Sequence, residues 1–133
     1  MQILVADDDA HAVETQTLIL RRRGFSVVGC TEGKDVMPLV KQHRPEVLLL
    51  DLAMPGMNGF DIALELKANP DLRPKLLIAI TGLCDDGAKE MTDRVGFDFH
   101  LVKPLKLLDL LTILATVFPD GDATDQSEER FRT

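Results

Sequence analysis

Apolar residues along the chain fall into two alternating rhythms. Residues 2–6, 25–30, 46–51, 75–80 and 99–102 form short, nearly continuous apolar runs. Runs without polar alternation are the pattern of strands buried on both faces, as in a parallel sheet covered by helices. Between them, residues 10–23, 34–43, 59–68, 86–95 and 105–118 have helical spacing and helical punctuation. Asp9 and Asn58 stand where N-caps belong, and Gly24 suits a left-handed C-terminal cap. In the first helix Val13, Thr17 and Leu20 share one stripe. Pro38 falls beyond the first helical position, which predicts a late or distorted start for the second helix. The final helix is the most apolar. Leu107, Leu108, Leu111, Leu114 and Phe118 are expected to face the core, and Leu110, Ile113 and Val117 are expected to form a second, outward stripe for a partner or a second copy.

Strands alternating with helices require crossover connections and hence a parallel sheet with helices on both faces. The expected fold is an α/β, doubly wound five-stranded parallel sheet of order 2-1-3-4-5, a flavodoxin-like (βα)5 domain. Residues 1–118 are expected to form this domain. Beyond Pro119 the composition turns polar, with five acids against two arginines, and 119–133 reads as an acidic, disordered tail.

In such sheets ligands bind outside the carboxyl ends of the strands, at the point where strand order reverses. Three acids, Asp7-Asp8-Asp9, follow the first run, and Asp51 closes Val47-Leu-Leu-Leu. Thr81 and Lys103 end the fourth and fifth strands on the same edge. Neighbouring carboxylates repel by roughly 3 kcal/mol per pair at about 5 Å and an effective dielectric constant of about 20, so the cluster calls for a cation. An oxygen-only donor set suits a hard divalent ion, Mg²⁺ being usual where one or two carboxylates share it with phosphate and water. A carboxylate beside that ion and a lysine can attack phosphorus, because both cations offset charge on the transferring oxygens. Taken singly, Lys103 would be a solvated strand end and Thr81 an ordinary helix cap.

Charge and composition narrow the partners. The net charge is −7, with 45% hydrophobic and 28% charged residues, which fits a soluble domain and argues against a nucleic-acid surface. Arg21, Arg22 and Arg23 form one basic run, placed where cations favour a helix C-terminus. Cys30 and Cys84 match no metal-ligand spacing and are expected to be reduced. No apolar run reaches the roughly 18 residues of a membrane helix, and a cytoplasmic location is expected.

The ordered set of an acidic pair after the first strand, Asp51-Leu-Ala-Met-Pro-Gly-Met-Asn-Gly, Thr81 after the fourth strand and Lys103-Pro104 after the fifth resembles the receiver domain of two-component response regulators over residues 2–118. The resemblance implies a phosphoprotein of signal transduction rather than a turnover enzyme. Asp51 would be the phosphoacceptor, and Asp7, Asp8, Asp51 and the Ala53 backbone carbonyl would bind Mg²⁺. Lys103 would contact the phosphoryl group and Thr81 would be the switch hydroxyl. His100 stands where many receivers carry a switch Tyr or Phe, and Lys103-Pro104 would be cis. The donor would be a histidine kinase or a histidine phosphotransfer protein, as in a phosphorelay. The response would pass to a downstream protein or to self-association through the final helix, without nucleic acid or membrane. No output domain follows residue 118 in this sequence, so either a single-domain regulator or a receiver of a hybrid kinase is expected.

Alternatives differ in visible ways. An aspartate-nucleophile phosphatase resembles a pattern with a second Asp two residues after the first, where this chain has Ala53. A flavin module needs a phosphate loop after the first strand, where three acids would repel phosphate. A docking receiver that is never phosphorylated would not need the full set of Asp7, Asp8, Asp51, Thr81 and Lys103. Ala53 and Leu83 flank the expected phosphate and cannot orient a water, which predicts a long-lived phosphoaspartate.

Overall fold

The computed structural model describes residues 2–54, 56, 58–82 and 94–119. Five strands, β1 (Gln2–Ala6), β2 (Ser26–Cys30), β3 (Val47–Asp51), β4 (Leu76–Thr81) and β5 (Phe99–Val102), pair in parallel in the order β2-β1-β3-β4-β5. The expected doubly wound, flavodoxin-like sheet is therefore the one observed. The register sets Ala6 beside both Cys30 and Leu50, Asp51 beside Ile80, and Thr81 beside Val102. The strand termini thus lie along one edge, and the order reverses between β1 and β3.

All five residues of β3 and all six of β4 are buried, which explains their unbroken apolar character. The helices α1 (Ala10–Arg22), α2 (Val36–His43), α3 (Gly59–Ala68) and α4 (Leu107–Val117) cover the sheet. Leu4, Leu48, Leu50 and Leu77 pack with Val36, Val40, Ile62 and Leu66 of α2 and α3 on one face. Ile3, Val5, Leu49 and Ile78 pack with Val13 and Leu20 of α1 and Leu110 and Leu114 of α4 on the other.

Local chemistry fixes the helix ends. Asp9 accepts from the His11 and Ala12 amides, and Asn58 from the Phe60 amide. After α1, Gly24 adopts φ 95°; its amide bonds to Arg21 O at 3.0 Å and that of Phe25 to Leu20 O at 3.2 Å, closing the helix as a glycine cap does. The late start expected from Pro38 takes the form of a 3₁₀ turn, Gly33–Asp35, before α2 begins at Val36. Pro38 then lies in the first turn, where a missing N–H breaks no intrahelical bond. Arg21 does more than favour a helix end: its Nη2 donates to Val27 O at 2.8 Å, tying α1 to the edge strand β2. Among the described cysteines, Cys30 is buried with a free thiol pushed up to about 11 by burial and the nearby Asp35 charge.

Two expectations on α4 are corrected. Leu110, assigned to the outward stripe, is fully buried, and Leu108, assigned to the core, is 74% exposed. At about 100° per residue, Leu110 lies about 60° from the centre of the arc set by Leu107, Leu114 and Phe118, whereas Leu108 lies about 100° from it. Of the outward stripe, Ile113 is half-buried against the core and Val117 is exposed. The helix expected over 86–95 falls within the described residues only at Arg94 and Val95, both helical. Cys84, Leu83 and residues 120–133 lie outside the described residues. No helix among those described is long and apolar enough to cross a membrane.

Candidate functional site

Asp7 follows β1 directly, and its amide still bonds to Cys30 O at 3.2 Å, so the residue is held to the sheet edge while its side chain enters the crevice. Asp51 is the last residue of β3. Both are buried, 2% and 1% exposed, whereas Asp8 is open to solvent. One carboxylate oxygen from each of Asp7, Asp8 and Asp51 lies within 4.8 Å of the others. Three carboxylates at this separation are stable together only with positive charge or hydrogen-bond donors between them.

Lys103, one residue past β5, supplies that charge. Its Nζ stands 2.9 Å from Asp51 Oδ2 and 3.4 Å from Asp7 Oδ1. Its amide donates to Thr81 O at 2.7 Å, which anchors the backbone that carries it. The following Lys103-Pro104 peptide is cis, as the resemblance implied. Two backbone donors complete the arrangement: Asp9 N–H to Asp7 Oδ1 and Ala53 N–H to Asp51 Oδ1, each at 2.9 Å. The one mark of either donor in the sequence is the turn habit by which an Asp bonds the amide two residues on.

The carboxyls respond differently. Burial raises Asp51, but the Ala53 N–H, the Lys103 ammonium and Asp8 outweigh it and hold the group below the usual carboxylate range. Asp7 is pushed above that range by burial, with the Asp51 charge adding to it against the opposing Asp9 N–H and Lys103. Burial would lower Lys103, yet Asp51 and Asp7 raise it above its ordinary value. Asp51 is therefore an ionised carboxylate paired with Lys103.

After β3, Gly56 adopts φ 79°, and α3 opens at Gly59. The buried Thr81 ends β4 on the same edge. On β5, His100 is half-buried and its Nε2 is buried without a hydrogen-bond partner. Beside the acids lies a cavity of about 630 Å³ lined by Asp7, Asp9, Gln16, Gly82, Lys103 and Leu105, among others. Gln16 of α1 is one of the lining residues, and its Oε1 is buried without a hydrogen-bond partner; nothing in the helical spacing marks it. Asp7, Asp8, Asp51, Thr81 and Lys103 thus gather at one edge, while Leu110, Ile113 and Val117 lie along α4.

Parallel order β2-β1-β3-β4-β5 with an acidic, lysine-bridged crevice at the switch point defines a doubly wound α/β domain whose distinctive chemistry is gathered at one sheet edge. The family model of the response regulator receiver domain matches residues 3–115, and the chain belongs to that family, a signalling domain of two-component systems. It is 36% identical over 110 residues to the DNA-binding response regulator MtrA of Mycolicibacterium paratuberculosis, covering 83% of this chain and 48% of that protein. The chain therefore spans about half the length of the MtrA relatives it matches. Protein PilH of Pseudomonas aeruginosa is 30% identical over 116 residues, covering 87% of this chain and 93% of PilH. Among solved structures, the signal receiver domain of a DNA-binding response regulator from Colwellia psychrerythraea superposes with a TM-score of 0.82 at 26% identity, covering 88% of this chain and 97% of that one.

Proposed function

We propose that this receiver takes a phosphoryl group onto Asp51 from a phosphohistidine of a histidine kinase or phosphotransfer protein, and that Mg²⁺ is required. The observation that carries the reading is the contact of Lys103 Nζ with Asp51 Oδ2 at 2.9 Å, inside a cluster of three carboxylates. The donor set fits Mg²⁺, because it is all oxygen and the exposure of Asp8 leaves room for the waters this ion retains. Asp7, Asp8, Asp51 and the Ala53 carbonyl would hold it. When bound, the ion neutralises the acids and the oxygens of the incoming phosphoryl group.

An Asp51 carboxylate oxygen forms the new P–O bond as the donor's P–N bond breaks. The electron pair stays on the imidazole nitrogen, which takes up a proton from water. Lys103 shifts from pairing with a free carboxylate to pairing with a phosphoryl oxygen, and the Ala53 N–H keeps Asp51 oriented through its other oxygen. Thr81, on the neighbouring strand end, supplies a hydroxyl to the new anion. His100, with an unpartnered Nε2 on β5, is the adjacent group through which the change reaches the surface. The response then leaves the domain through protein contacts, either with a downstream target or between copies.

The test is intact-mass spectrometry after incubation with acetyl phosphate or a phosphorylated kinase. One phosphoryl group is expected on the native protein with Mg²⁺, and none in excess chelator or on Asp51→Asn. Equal labelling of Asp51→Asn would refute the assignment.

A further inference from the structure

Gly59 is the first residue of α3 and is buried. It does not occupy the left-handed region, unlike Gly24, Gly56 and Gly96. Alanine is the better residue in a helix, so backbone freedom does not explain a glycine here. Space does. A Cβ at Gly59 would lie 2.7 Å from Leu52 Cδ2, 3.1 Å from Leu52 Cα and 3.6 Å from Asp51 O. A side-chain tip can rotate away, but the Leu52 Cα is fixed by its neighbours. Its amide donates to Ile80 O at 3.0 Å, and the next amide, Ala53 N–H, donates to Asp51 Oδ1 at 2.9 Å.

We propose that Gly59 is a positioning residue for the phosphoacceptor site: its missing side chain lets α3 sit against Leu52, and this holds Ala53 where its N–H orients Asp51 and its carbonyl would serve as a metal ligand. The inference rests on the Mg²⁺ and phosphoacceptor reading above. A methyl at Gly59 displaces the single residue that links Asp51 to Ala53, so the damage falls on the site more than on the core. Gly29 gives a matched control. A Cβ there would lie 2.5 Å from Val13 Cγ1, a tighter overlap with side-chain atoms between α1 and β2, away from the β3–α3 loop.

The experiment compares the full chain with Gly59→Ala and Gly29→Ala by Mg²⁺ titration calorimetry, thermal melting and the NMR shift of the Ala53 amide proton without metal. Gly59→Ala is expected to weaken Mg²⁺ about tenfold, the scale seen when groups supporting a metal ligand are lost. It should also move the Ala53 amide upfield as its bond to Asp51 loosens. Gly29→Ala should melt earlier but keep both the Mg²⁺ affinity and the Ala53 shift. An unmoved Ala53 amide in Gly59→Ala, or equal effects of the two glycine variants on Mg²⁺, overturns the proposal. If the native chain binds no Mg²⁺, the functional reading fails and the Ala53 shift alone decides this one. Should Gly59→Ala not fold, Leu52→Ala combined with Gly59→Ala removes the side-chain overlap and keeps the backbone one. That double variant should fold with the same loss, and native affinity with a native Ala53 shift would overturn the proposal.

Discussion

Asp7 and Asp51 carry the same carboxyl, yet the fold moves them in opposite directions, Asp7 up and Asp51 down. A depressed carboxyl contributes stability above its unfolded value, lost only as pH falls through the lowered folded value. A raised one has the other sign: ionised Asp7 destabilises the metal-free fold at neutral pH, and protonation through its raised value relieves this. Asp7→Asn should therefore melt higher than the native chain at pH 7.5 in chelator. The gain should vanish in mild acid, once Asp7 is protonated in the native chain. A lower melting point at pH 7.5 would mean the Asp9 N–H and Lys103 outweigh burial. At the same scale, Ala53 brings no side-chain polar group to the site, so phosphorylated Asp51 should hydrolyse slowly. Ala53→Asn, able to hold a water, should shorten the phosphoprotein half-life several-fold in a radiolabel chase; an unchanged half-life would contradict this.

At the scale of the element, α4 shows how an apolar helix is divided by its surroundings. Leu, Ile or Val occupies every direction except the face of Asp109, Thr112 and Thr116, so composition alone does not choose which apolar positions are inward. The sheet chooses Leu110 and Leu114, with Leu107, Leu111, Ile113 and Phe118 at the flanks. Leu110→Ala should cost about 2–5 kcal/mol, because it opens a cavity against the Ile3–Leu49–Ile78 face. Leu108→Ala should change stability by less than about 0.5 kcal/mol. Urea denaturation separates them, and equal losses would refute the assignment of faces.

For the whole molecule, the sheet order brings three acids from two distant segments into one crevice and leaves their repulsion as a reservoir that a cation relieves. Mg²⁺ at about 100 times its Kd should raise stability by about 2.7 kcal/mol, near 10 °C in melting temperature. Asp8→Asn should abolish most of this shift. Its own metal-free melting point should barely change, since Asp8 is exposed and not needed for packing. A full Mg²⁺ shift in Asp8→Asn, read by differential scanning calorimetry, would place the ion elsewhere.

Strand–helix alternation was legible along the chain, because buried strands are continuously apolar and helices must be capped, and Asp9, Gly24 and Asn58 close helix ends as their residue types predict. The sequence by itself also determined which side chains share an edge, since a parallel doubly wound sheet leaves Asp7, Asp51, Thr81 and Lys103 no other common place. The tertiary structure alone decided what depends on three-dimensional neighbours. Strand ends differed by a residue, at Ser26, Val47 and Leu76, where ladder bonds rather than hydrophobicity set the boundary. Burial raises both Asp7 and Asp51, and their opposite shifts come from the closer approach of Lys103 to Asp51 and from the Asp51 charge acting on Asp7. Which of the several apolar positions of α4 are buried was settled by packing, with Leu110 and Leu114 against the Ile3, Val5, Leu49 and Ile78 face and Leu108 left exposed. The role of Gly59 comes from a contact with Leu52 across a turn, a distance that no periodicity in the sequence encodes.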